Sequence, residues 1–242
     1  MGKLEGRRAL VGGASSGMGA AIARALAAEG AKVVLAARRA DKLAGVAGEI
    51  AAAGGVAIPI AVDLTDEAAV EALFARVVSE LGGLDLLINS QGVAHNTPIE
   101  KLSAEEWHSV MDANLTSVFL CGREALKLMK PQGRGRIISI GSISAKSPRP
   151  NAFAYVASKY GLDGLTRAMA LDGRDSGVAV SVLHPGFTAT GFGPEVKGGP
   201  SRNAMDPAEI ARTIVLMASI PDEMNILEAV ALPLGMPFLG RG

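Results

Sequence analysis

The chain has 242 residues, with 24 Lys plus Arg balancing 24 Asp plus Glu, 49% hydrophobic and 4% aromatic residues. That balance excludes a net basic field for nucleic acid or an anionic membrane, and so few aromatics exclude a base-stacking platform. The single Cys121 excludes an internal disulfide or thiolate cluster; His95, His108 and His184 lack metal-ligand spacing, so no metal is expected.

From the N-terminus, Lys3, Arg7 and Arg8 precede an uncharged stretch at 9–23 that superficially copies a signal peptide. Its Gly12, Gly13, Ser15, Ser16, Gly17 and Gly19 make a turn rather than an apolar centre. Gly6 stands where a myristoylation signal carries Ser or Thr. No run reaches the roughly 18 apolar residues of a membrane span, so a soluble, cytoplasmic protein is expected. With no linker, repeat or low-complexity block, residues 1–242 read as one domain.

Strand patterns fall at 8–11, 32–37, 56–62, 84–89, 136–140, 178–183 and 226–232. Helical patterns fall near 17–29, 41–52, 66–81, 104–129, 152–172 and 207–219, the last with Asp206 as N-cap and Pro207 in the first turn. Internal strands apolar on both faces, alternating with helices, predict a doubly wound parallel seven-stranded α/β sheet with helices on both faces. Ligands of such folds bind beyond the carboxyl ends of the strands.

After the first strand comes Gly13-Ala14-Ser15-Ser16-Gly17-Met18-Gly19, opening a helix. Glycines allow a sharp turn and close approach of a pyrophosphate, and the helix N-terminus offers free N–H groups to it. The second strand runs into Leu35-Ala36-Ala37-Arg38-Arg39 with no carboxylate before Asp41. A guanidinium matches a ribose 2′-phosphate, so NADP(H) is expected over NAD(H), with Arg38 the main contact and Arg39 in support. Asp63, followed by Leu64, either accepts from the adenine amino group or caps the helix starting near Asp66. Asn89-Ser90-Gln91-Gly92 suits a tight loop beneath the cofactor, and Pro185-Gly186 is followed by Thr188 and Thr190, able to bind a carboxamide or phosphate.

Tyr155 and Lys159 lie four apart in a helical pattern, on one face, and Ser142 lies thirteen residues before the tyrosine. A phenol near pKa 10 is a poor acid or base at neutrality. A cation about 4 Å away, at an effective dielectric near 20, would favour the phenolate by roughly 4 kcal/mol before desolvation opposes it. A serine hydroxyl could polarise a carbonyl that this phenol protonates.

Together, Gly13/Gly17/Gly19, Asp63, Asn89 to Gly92, Asn114, Ser142, Tyr155/Lys159 and Pro185-Gly186 resemble the short-chain dehydrogenase/reductase family, in order and spacing, over most of the chain. The resemblance implies a Rossmann-type oxidoreductase passing a hydride between nicotinamide and a carbonyl or alcohol carbon. It implies Tyr155 as general acid/base, Ser142 orienting the substrate oxygen, Lys159 lowering the tyrosine pKa and binding nicotinamide ribose, and Asn114 holding a relay water. Two departures stand out: Gly12 where the family usually has Thr, and Ser90-Gln91-Gly92 where it usually has Asn-Ala-Gly.

A segment at about 187–206, rich in glycine and proline and carrying Phe187, Phe192 and Val196, reads as a substrate loop over a partly apolar small-molecule carbonyl or alcohol. His95 and Lys146 are candidate rim residues. The apolar tail at 229–242 reads as an interface, giving a homotetramer or homodimer. A 3-oxoacyl-thioester reductase is a specific alternative, for which Lys146, Arg149 and Arg202 offer only scattered charge. A non-catalytic dinucleotide sensor is the other alternative, and the complete Ser142, Tyr155 and Lys159 set argues against it.

Overall fold

The computed structural model describes residues 2–190, 204–237 and 239. Seven parallel strands form one sheet: β1 (Arg8–Gly12), β2 (Lys32–Ala37), β3 (Val56–Ala61), β4 (Leu86–Asn89), β5 (Gly135–Ile140), β6 (Val178–Pro185) and β7 (Glu228–Ala231). Their spatial order is β3-β2-β1-β4-β5-β6-β7. The chain therefore builds outward one way to β3, returns, and builds outward the other way from β4.

Helices α1 (Gly17–Ala28), α2 (Ala40–Ala52), α3 (Glu67–Leu81), α4 (Ala104–Met111), α5 (Ser117–Gln132), α6 (Phe153–Arg174) and α7 (Pro207–Ser219) cover the sheet. Alternation along each strand divides the core between its two faces. Ala9 and Val11 of β1, with Val33 and Leu35 of β2, pack with Ile22 and Leu26 of α1 and Ile210 and Ile214 of α7. Leu10, Val34 and Ala36 face the other way, toward Val70 and Phe74 of α3 and Leu120, Cys121 and Met129 of α5. Each fully buried aliphatic side chain contributes about 1.5–3 kcal/mol relative to exposure.

The predicted elements are recovered with two informative differences. The predicted helix at 104–129 is interrupted by a π-helical turn at Asp112–Thr116, separating α4 from α5. The apolar periodicity runs through this break, and within it the Asn114 side chain bonds outside the helix, to Val93 and Ser158. The fourth strand begins at Leu86, two residues later than predicted, although the Asp85 N–H still donates to the Arg8 carbonyl and its carbonyl accepts from the Arg136 N–H, each at 2.9 Å. The Asp85 carboxylate receives bonds from Arg8 Nε at 2.8 Å and Nη2 at 2.7 Å, while Leu84 pairs with the Gln132 side chain. Most of the expected substrate loop, including Phe192, Val196 and Arg202, lies outside the described residues, as does the end of the tail.

Candidate active site

The strand order reverses between β1 and β4, where Gly12 aligns with Asn89. Beyond the carboxyl ends there lies a cleft of about 1180 Å³, with room for more than one drug-sized molecule.

One end is built by the glycine turn. Gly13 (φ 74°) and Gly17 (φ 54°) adopt backbone conformations that side chains disfavour. At Gly19 a Cβ would fall 2.2 Å from the Gly13 carbonyl oxygen, so helix α1 can reach the loop only with glycine there. Ser16, the N-cap of α1, makes no side-chain capping bond, and no acid occupies the first turn. Its hydroxyl, with that of Ser15, instead accepts from Arg39 Nη2 at 2.8 and 3.0 Å. Uncapped N–H groups, a positive dipole end and an adjacent guanidinium make this an anion cradle.

Arg38 and Arg39 line the same end, and Arg38 makes no hydrogen bond to any described residue. Asp63 and Leu64 line it as well. The helix-cap reading of Asp63 is corrected: Asp66 caps α3, accepting from Ala69 N–H at 3.1 Å. Asp63 accepts from the Thr65 amide and hydroxyl, and the amide bond is the first cause holding its pKa below the usual carboxylate value.

At the other end, Ser142 follows β5, and Tyr155 and Lys159 occupy the first two turns of α6. The structure brings all three to the cleft, together with Met18, Gly92, Pro185, Gly186, Thr188 and Thr190. Tyr155 is only 8% exposed, and the Ser142 side chain beside its phenol favours the phenolate. Ser142 Oγ also accepts from Ser144 N–H at 3.0 Å, which fixes its rotamer.

The expected electrostatics of Tyr155 differ. Burial raises its pKa; the Ser142 bond and the charge of Arg149 oppose that rise, and Lys159 is not among the causes. Lys159 Nζ donates to the Ile140 carbonyl at 2.8 Å and lies 5.8 Å from the tyrosine ring centroid. Burial pulls its own pKa down to about 8. Arg149 is a second cation over the phenol ring, its guanidinium carbon 5.4 Å from the centroid. Sequence reasoning counted Arg149 only as scattered charge; its place between Pro148 and Pro150, which restricts the backbone, was the available signal.

Asn114 and Asn89 lie beneath the cleft rather than in its wall. The Asn114 amide nitrogen donates to Val93 O and Ser158 Oγ, each at 2.9 Å, and its oxygen accepts from Val93 N–H at 2.7 Å. Ser158 Oγ in turn donates to the Tyr155 carbonyl, so Asn114 ties the loop after β4 to the first turn of α6. Asn89 bonds Ser139 and Gln91.

Neither predicted rim residue lines the cleft. His95 sits 3.3 Å from Glu106. Lys146 lies between Asp163 at 2.9 Å and Glu228 at 2.7 Å. Asp163, His184 and Glu228 group their ligand atoms within 4.8 Å, but the Lys146 ammonium already bridges the two carboxylates. His184, another residue missed, is fully buried behind Ser142, its Nδ1 3.1 Å from the Ser142 amide nitrogen and 2.9 Å from its carbonyl oxygen. Gly141 makes room for that ring, since a Cβ would meet Nδ1 at 2.4 Å.

A glycine-built anion cradle and a buried Ser–Tyr pair at the switch point of one parallel sheet define a Rossmann-type dinucleotide oxidoreductase. Comparison with known proteins makes the class specific. Residues 7–199 match the family model described as short chain dehydrogenase, and the chain belongs to that family of oxidoreductases. It is 39% identical over 191 residues to a 3beta-hydroxysteroid dehydrogenase of Mediterraneibacter gnavus, covering 78% of this chain and 69% of that one. A 3-oxoacyl-[acyl-carrier-protein] reductase of Synechocystis is 36% identical, covering 88% and 89%. A metagenomic short-chain oxidoreductase solved in complex with NADP superimposes with a TM-score of 0.85 at 37% identity, covering 96% and 98%.

Proposed function

We propose that the protein is an NADP(H)-dependent oxidoreductase interconverting a carbonyl and a secondary alcohol, with Tyr155 as general acid/base. The observation that carries this reading is the Tyr155 phenol, buried beside Ser142 in the cleft that holds the glycine cradle. The cradle fits a dinucleotide: Gly13 and Gly19 leave no space for a Cβ, and the buried Ser90 Oγ and Gln91 Oε1 lack protein partners beneath it. When bound, the nicotinamide cofactor supplies or accepts the hydride.

The residues do the rest. In reduction Tyr155 gives its proton to the substrate oxygen, which the Ser142 hydroxyl polarises and orients; in oxidation the proton returns. Lys159 supplies a charged donor below the ring. The shell around Tyr155 excludes water, which strengthens each of these interactions. Asn114 serves by holding α6 against the Val93 loop.

NADP(H) is favoured by Arg38 and Arg39 at the end of β2, where no carboxylate stands to receive a 2′-hydroxyl. An acyl thioester on an acidic carrier is less well supported, since Lys146 is held by two carboxylates and Arg149 faces the phenol. We also propose a homotetramer or homodimer packed through α5 and α6, on which Phe119, Tyr160 and Leu171 are exposed. The tail is divided, with Leu234 exposed while Met236 and Leu239 line the cleft.

The test is a fluorescence titration with NADPH and NADH, then a ketone and aldehyde panel followed at the reduced-nicotinamide absorbance. Tyr155→Phe should bind NADPH nearly as the parent does and lose about 10²–10⁴-fold in turnover. A variant within tenfold of the parent would remove the proton-transfer role.

A further inference from the structure

Apart from its place over the Tyr155 ring, Arg149 has no polar partner among the described residues. It lines the cleft, makes no hydrogen bond or ion pair there, and its Nε is buried without a partner. The two carboxylates of the cleft wall are engaged elsewhere, Asp63 by Thr65 and Asp112 by Thr116. Buried polar groups left unpaired are costly, and an arginine held this way beside a reacting group calls for an anion supplied from outside. Pro148 and Pro150 restrict the backbone on either side, and the guanidinium it carries lies over the Tyr155 ring.

We propose that Arg149 is the specificity-determining residue of the substrate site and that it receives the carboxylate of an oxo or hydroxy acid. This rests on the oxidoreductase reading above and names its substrate class. One face of the guanidinium lies over the Tyr155 ring and Nε is against the wall, leaving the terminal amino edge open. A planar carboxylate fits such an edge through two parallel N–H···O bonds. With the guanidinium carbon 5.4 Å from the ring centroid, an anion on Arg149 and an oxygen on the phenol belong to neighbouring groups of one small molecule. Short 2-oxo and 3-oxo acids, whose carboxylate and carbonyl carbons are adjacent or one carbon apart, bring the two groups that close together. An ester or simple ketone would leave the guanidinium unpaired, and a site built around a buried polar group rejects an analogue lacking the matching partner.

The test pairs 2-oxobutanoate and 3-oxobutanoate with their methyl esters, using NADPH-saturated protein and reading kcat/KM. The parent should favour at least one acid over its ester by roughly tenfold or more, and Arg149→Gln should erase that ratio, with Arg149→Lys intermediate. Calorimetric titration of butanoate into the NADPH-saturated protein should show binding that Arg149→Gln weakens at least about tenfold. Parent ratios near one, equal slowing of acid and ester in Arg149→Gln, or unchanged butanoate affinity would overturn the assignment. If no carbonyl compound is turned over, the oxidoreductase reading fails by itself, and the butanoate titration still decides the role of Arg149.

Discussion

Gly12 and Gln91, two of the positions where the chain departs from the pattern it resembles, occupy the same space. A Cβ at Gly12 would sit 2.5 Å from Gln91 Oε1 and 3.1 Å from Leu64 Cδ1. Gln91 Nε2 donates to Asn89 Oδ1 at 3.3 Å, which holds the side chain over the end of β1. Two substitutions that look independent in sequence are thus one exchange, a larger side chain on the β4 loop for a missing one on β1.

That coupling can be measured. Gly12→Thr alone should destabilise by about 1–3 kcal/mol through overpacking, although Gln91 has some freedom to shift. Gln91→Ala alone removes an unpartnered buried oxygen and should change stability little. Combined, Gln91→Ala should recover most of the Gly12→Thr loss in a double-mutant cycle from urea denaturation. Strict additivity would show that the two side chains do not compete.

Arg38 gives a prediction about cofactor choice. Its guanidinium bonds to nothing described, whereas Arg39 is anchored on Ser15 and Ser16. Arg38→Asp should therefore raise the NADPH Kd by at least about tenfold and move preference toward NADH, as loss of a charge-assisted bidentate contact requires. Unchanged selectivity would transfer the phosphate role to Arg39, which Arg39→Asp would then reveal.

What could be read from sequence was what local chemistry dictates. The turn at Gly13 and Gly17 was legible because only glycine is comfortable at those φ values, and the sheet because its strands alternate between two apolar faces. What escaped depends on where distant side chains meet. Apolar periodicity continues through Asp112–Thr116, so the π-helical turn shows only once Asn114 has found Val93 and Ser158. Lys146 and Arg149 are three residues apart and look alike as loop cations before α6. Only the fold separates them: Asp163 and Glu228 claim Lys146, while Arg149 is left facing the phenol.

His184 is the second residue on which Ser142 depends. Its pKa is lowered by burial first and then by the Lys146 charge, so the ring is neutral in the fold. The unfolded chain protonates this histidine near pH 6.5 while the folded chain resists, and stability is lost as pH falls below that value. His184→Gln should remove this part of the acid sensitivity while costing about 1–3 kcal/mol at neutral pH from imperfect replacement of a buried partner. Because Ser142 loses its anchor, kcat should fall by about tenfold with NADPH affinity preserved. An unaltered kcat alongside reduced stability would assign His184 to packing alone.

Lys159 carries a pH signature of the same sign on the alkaline side. Its pKa falls from 10.5 to about 8 on folding, because burial disfavours the ammonium. Below pH 8 both states hold the proton and the burial cost is present in full. Between about 8 and 10.5 the unfolded chain binds more protons than the folded one, so rising pH stabilises the fold. Such a fall corresponds to about 3 kcal/mol, as an order of magnitude. Lys159→Met has no such cost, and its stability relative to the parent should therefore decline by that amount as pH rises across this window. Paired urea denaturations at about pH 7.5 and 10 measure the change, with other alkaline titrations cancelling between the two proteins. A stability difference that stays flat with pH would mean that Lys159 titrates as an ordinary exposed amine and that its contact with the Ile140 carbonyl does not shield it from water.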